Sequence, residues 1–339
     1  MQHPINLMFL GTLVACQSSP AEDKGATTSS GADSGQSASD TGPAEDDDCS
    51  LGAWGEETDC SPEFFPAADV PEYQVTQIEM DHETASTAWG NFGPLEYWIV
   101  GTDTEAAEAQ DIYFCSLRME RDPSLPEYFE ESCLSRGYSF VDYARDGGAA
   151  LSTYHNEDME YAFFIVTLAS KYPSPDETDY TVVTYHEYFH VVQHAHISSR
   201  DEDEQRRLMV ENPWWSEGGA EYMAQLLYSR QPGVDPGYLK ERMSWKMQTR
   251  SMLEDGERFT DIPYGERARV AYELGAWFIA YLIHQVDEDA YRIGFFDDLS
   301  TLGWEGAFIE NFGMSSEAML DEFEVFLEAP LADQLVIIP

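Results

Sequence analysis

The sequence predicts an α+β fold, with a small mixed β-sheet lobe followed by a mainly helical lobe. Three observations predict it. Runs that suit strands, Tyr73–Met80, Leu95–Val100 and Glu160–Leu168, all fall before residue 181. From Thr181 onward the apolar residues recur instead at helical spacing. No internal repeat is evident, and the roughly 290 residues from Cys49 to the end suffice for one large domain of two lobes, 49–180 and 181–339.

The elements follow in chain order. Leu7 to Ala15 is apolar but too short to span a bilayer, and it ends in Leu13-Val14-Ala15-Cys16. That ending resembles the bacterial lipobox. The resemblance implies a signal peptide over 1–16 and a lipid-modified Cys16. Gln17 directly after the Cys then favours the outer membrane. The expected location is a lipid-anchored place in a bacterial cell envelope, or secretion if the leader is an ordinary one. Residues 17–48 are acidic, rich in Ser and Gly, and lack aromatic residues, which predicts a disordered tether. Helices are expected at Thr104–Glu120 and Pro126–Arg136, then over Thr181 to about His196, Ser216–Arg230, Gly237–Leu253, Glu266–Gln285 and Glu317–Leu327.

The formal net charge is −46, from 18 Lys and Arg against 64 Asp and Glu. Such a balance argues against nucleic-acid partners, and against membrane contact beyond the lipid anchor. The acidic runs Glu45–Asp48 and Asp201–Glu204 read as solvated surface, with loosely held Ca²⁺ as the alternative. No EF-hand loop is present. Beyond Cys16 there are four cysteines, Cys49, Cys60, Cys115 and Cys133, an even number that suggests two disulfides in an exported chain. Of the three possible pairings, the local one, 49–60 with 115–133, is preferred. No CxxC pair points to a cysteine metal site.

The chemistry concentrates in His186-Glu187-Tyr188-Phe189-His190 and in Trp214-Trp215-Ser216-Glu217-Gly218-Gly219-Ala220-Glu221-Tyr222. Two His four apart lie on one helix face and reach a single metal. Glu187 is placed as a general base acting on a metal-activated water. A catalytic Zn²⁺ usually takes three protein ligands, and Glu217, 27 positions past His190, is the best third candidate. A rival is His196, six past His190, the third-His spacing of the metzincin peptidases. That motif needs Gly at the position held here by Gln193.

HEYFH followed by WWSEGGAEY resembles the gluzincin metallopeptidases, the superfamily of thermolysin and aminopeptidase N. The resemblance covers roughly residues 160–327. It implies a zincin-like catalytic domain holding one Zn²⁺ on His186, His190 and Glu217, and hydrolysis of a peptide or protein substrate. It implies that Glu221 accepts from a ligand His, a solvated helix face being the alternative. Tyr272-Glu273-Leu274-Gly275 is similar to the Y-E-x-G helix of aminopeptidase-N relatives, which implies an oxyanion-donating Tyr272, with core packing as the alternative and Tyr264 as a second candidate. The strand before the zinc helix, Glu160–Leu168, would be the substrate edge or a core strand. The interval from His190 to Glu217 is longer than in those relatives, and the excess reads as a polar surface loop over Ser198–Pro213. A function of another class stays open: a binding or adhesion lipoprotein that keeps the metal without turnover. Oligomeric state, and endo- against exopeptidase action, are not legible in the sequence.

Overall fold

The computed structural model describes residues 55–339 except 127, 137, 156–161, 198, 200 and 201. Cys16, the 17–48 stretch, Cys49 and the run 45–48 lie outside the described residues, as do residue 201 of the second acidic run and residues 160 and 161 of the third strand run. Strands β1 (Glu56–Glu57) and β2 (Glu63–Pro66) come first, then helix α1 (Glu72–Trp89) and strands β3 (Phe92–Gly93) and β4 (Leu95–Val100). Helices α2 (Thr104–Arg121), α3 (Phe129–Leu134) and α4 (Phe140–Asp146) lead to β5 (Ala149–His155) and β6 (Ala162–Ala169). Then follow α5 (Thr178–Ala195), α6 (Glu202–Met209), α7 (Ser216–Ser229), α8 (Tyr238–Lys246), α9 (Ala268–Gln285), α10 (Phe296–Phe312), α11 (Ser316–Leu327) and α12 (Leu331–Gln334).

The fold is α+β with a small mixed sheet. Its four strands run in the order β2-β4-β6-β5. β2, β4 and β6 are parallel, and β5 closes one edge antiparallel to β6, Ala149 opposite Leu168 through His155 opposite Ala162. Every residue of β4 and β6 is buried, and both strands are apolar apart from Glu96, whose carboxylate pairs with the buried Arg118, and Thr167. Tyr97, Ile99, Phe164 and Val166 face a cluster that includes α1 and α5 residues, whereas Trp98, Val100, Phe163 and Ile165 face one that includes α2 and α4 residues. The first cluster continues without a break from Ile78 to Ile338, so sheet and helical parts share one core. Cys115 and Cys133 form a disulfide that ties α2 to α3, and Cys60 is also disulfide-bonded.

Several expectations need correction. Tyr73–Met80 is not a strand but part of α1. Its buried stripe, Gln74, Ile78, Asp81, His82, Ala85 and Trp89, has helical spacing. Half of that stripe is polar, which blurred the period, while Tyr73 and Met80 stand 57% and 56% exposed. The helix expected over Pro126–Arg136 shrinks to Phe129–Leu134. The interval 198–213 is not merely a polar loop: it holds α6, with Leu208 and Met209 buried against the core. The strand before α5 is not an edge. β6 lies between β4 and β5, and the edge on that side is β5, a strand the sequence reading missed. Ala-Ala-Leu-Ser-Thr-Tyr-His has no strong pattern, and its extended form follows from pairing with β6. Among the described residues, no helix is long and apolar enough to cross a membrane.

Candidate metal centre

Helix α5 carries the first part of the site. Every residue from Val182 to Gln193 on it is buried, as expected of a helix enclosed on all sides. His186 and His190, one turn apart, bring their Nε2 atoms to 3.2 Å from each other. Helix α7 carries Glu217 in its first turn. Glu217 Oε2 lies 3.2 Å from His186 Nε2 and 3.2 Å from His190 Nε2. Among the described residues, His186, His190 and Glu217 are the group of donors that could hold a metal ion.

A close helix contact delivers Glu217. A Cβ on Gly218 would sit 2.6 Å from the Gly275 carbonyl carbon, and a Cβ on Gly275 would collide with the Trp214 carbonyl oxygen. With no side chain at either position, α7 and α9 touch backbone to backbone. That contact sets the first turn of α7 beside α5 and brings Tyr272 of α9 to the site. Gly→Ala in an unhindered helix stabilises by about 1 kcal/mol. Gly275→Ala is expected to do the opposite, costing about 1–3 kcal/mol through overpacking. Denaturant unfolding of the variant gives the sign directly.

The donor set suits a metal. Imidazole and carboxylate are the usual nitrogen and oxygen ligands of Zn²⁺, and two ligand atoms each about 2.0–2.1 Å from a tetrahedral ion are separated by roughly 3.3 Å. The observed 3.2 Å spacings match that value. The far sides of the rings are oriented as well. His190 Nδ1 faces Gln193 Oε1 at 2.7 Å, and His186 Nδ1 lies 3.5 Å from Glu221 Oε2. An oxygen acceptor at Nδ1 favours the Nδ1–H tautomer and leaves the Nε2 lone pair free. Glu221 in turn is held by Lys246 Nζ and, at 3.0 Å, by Gln225 Nε2. Gln193 Nε2 also bonds the Ser216 carbonyl at 3.0 Å, linking α5 to the start of α7.

The electrostatics of the pocket favour positive charge. Burial opposes protonation of His186, yet hydrogen bonds to Glu217 and Glu221 outweigh it and push the ring up to about 10. Burial likewise opposes ionisation of Glu217, but the His190 charge and both His hydrogen bonds hold it well below the carboxylate range. Glu221 is held low in the same manner, against burial, by Lys246 and His186. Glu187 behaves differently. Burial pushes its carboxyl up, opposed by His186 and His190, and the Leu151 backbone N–H of β5 donates to it.

The other sequence candidates fall in distinct places. Tyr272 is nearly buried, and burial followed by the Glu217 charge pushes its phenol far up; it is within hydrogen-bond reach of Glu217. Tyr264 donates to Glu217 Oε1 at 3.0 Å. His196 is not at the centre. It caps α5, bonds the Val192 carbonyl through Nδ1 at 2.7 Å, packs on Phe92 and Phe296, and places Nε2 3.5 Å from Asp297. The alternative with His196 as third ligand therefore does not fit this arrangement. Sequence reasoning missed Gln193 and Lys246. Nothing local marks Lys246, but Gln193 lies one turn past His190 on the same helix and could have been read from that spacing. No family model, curated protein or solved structure matches the chain.

Proposed function

We propose that this chain is a zinc-dependent peptidase of gluzincin type. One observation carries the reading. Two imidazole nitrogens and one carboxylate oxygen converge at 3.2 Å, with both rings oriented from behind and a fourth group, Glu187, beside the first His. His186, His190 and Glu217 would hold a Zn²⁺, which when bound would supply Lewis acidity to the scissile carbonyl and to a water. Glu187 takes the proton of the attacking water on its carboxylate. As the C–N bond breaks, the same group hands that proton to the departing amine nitrogen. Its raised affinity for a proton, set by burial, suits both halves of this transfer.

Substrate binding falls to β5. Ala169 N–H donates to the Gly148 carbonyl at 3.0 Å, so alternate residues from Gly148 face β6. Ala149, Leu151 and Thr153 then face outward from the sheet. The Leu151 N–H engages Glu187, and the neighbouring outward groups, which no other described residue pairs, would pair with an extended peptide. This arrangement aligns a bound backbone with the general base. Tyr272 on α9, within hydrogen-bond reach of Glu217, would supply a neutral O–H for the oxyanion. Tyr272→Phe is expected to lower kcat by about 10²-fold with little change in KM. Steady-state kinetics with one cleaved peptide distinguishes this from a packing role, in which both constants stay near wild type.

The experiment for the function is a peptide-library digest by the purified protein, with and without a zinc chelator. Chelator-sensitive cleavage is the expected result. Absence of cleavage by protein that carries stoichiometric zinc would favour the non-catalytic binding alternative.

A further inference from the structure

Glu217 offers two oxygens, and the structure treats them differently. Oε2 faces the two His nitrogens at 3.2 Å each. Oε1 accepts a hydrogen bond from the Tyr264 phenol at 3.0 Å, and the Ser216 hydroxyl lies 3.5 Å from the same phenol oxygen. Tyr264 stands in the turn before α9, between Pro263 and Gly265, and is only partly buried. Packing of the core therefore does not call for a hydroxyl there, whereas the Glu217 contact does.

We propose that Tyr264 is a positioning residue that keeps Glu217 a one-oxygen ligand. This rests on the metal-centre reading above and goes beyond it by assigning the state of the third ligand. A carboxylate binds a metal through one oxygen or through both. A donor on Oε1 occupies a lone pair there and fixes the rotation of the carboxylate plane. With Oε1 engaged, Oε2 alone is directed at the ion. The position that a two-oxygen Glu217 would fill then stays open, which a catalytic site requires. Each ligand then has its own outer partners: Gln193 for His190, Glu221 for His186, and for Glu217 the Tyr264 phenol on Oε1 with Tyr272 also within hydrogen-bond reach.

The test uses the full-length protein and Tyr264→Phe, which removes only the hydroxyl. Zn²⁺ affinity is measured by competition with a chromogenic chelator, and the Co²⁺-loaded forms are compared by visible absorption. The variant is expected to bind Zn²⁺ roughly 10- to 100-fold more weakly. Its cobalt bands should lose intensity as the coordination number rises. Melting of the metal-stripped variant should match wild type, and Tyr264→Met serves as a second hydroxyl-free form if the Phe variant folds poorly. Unchanged Zn²⁺ affinity with an unchanged cobalt spectrum would overturn the assignment. Wild-type protein that takes up neither ion would overturn the metal centre itself, and is a distinct outcome because it appears before any variant is made.

Discussion

Glu187→Gln is expected to abolish most turnover while keeping the metal and the fold. The amide is nearly isosteric and retains an acceptor for the Leu151 N–H that holds the carboxylate. It cannot accept the water proton, and loss of a general base costs roughly 10²- to 10⁴-fold in rate. Metal content should stay at wild-type level, because Glu187 is not among the three converging ligand atoms. Single-turnover kinetics alongside elemental analysis checks both halves. A Gln variant that cleaves at wild-type rate would remove Glu187 from the chemistry.

The second large effect concerns the ligand set. Glu217→Ala removes the oxygen 3.2 Å from both His nitrogens. It also removes the Tyr264 hydroxyl's carboxylate acceptor. Loss of an outer partner alone costs about 10- to 100-fold in metal affinity, and loss of the ligand itself should exceed that. His196→Ala should leave affinity unchanged, since that ring sits on Phe92 and Phe296 beside Asp297. Parallel chelator titrations of the two variants compare them. The reverse pattern, metal lost with His196 and kept without Glu217, would reinstate the metzincin arrangement.

The site was more legible in the sequence than the sheet that supports it. His186, Glu187 and His190 share one turn of a helix whose flanks are apolar, so their juxtaposition is a local property of the chain. Glu217 and Glu221 are also one turn apart, and only their approach to α5 needed the tertiary structure. The glycines at 218 and 275 make that approach possible, but a glycine pair in two helices does not announce which faces meet. The outer partners were harder still. Lys246 reaches Glu221 from α8, and Tyr264 reaches Glu217 from a turn, through contacts with no sequence period. β5 escaped because its extended form comes from the neighbouring β6 and not from its own residues. α1 was mistaken for a strand because polar Gln74, Asp81 and His82 occupy its buried stripe.

His186, His190 and Glu217 could hold a metal ion, and the proposed peptidase activity depends on that ion being Zn²⁺. The most direct test is one titration: peptide cleavage by metal-stripped protein as Zn²⁺ is added back. The account predicts no cleavage at the start and a rise that saturates at one Zn²⁺ per chain. Cleavage that persists in the stripped protein, or saturation with zinc that produces none, would contradict it.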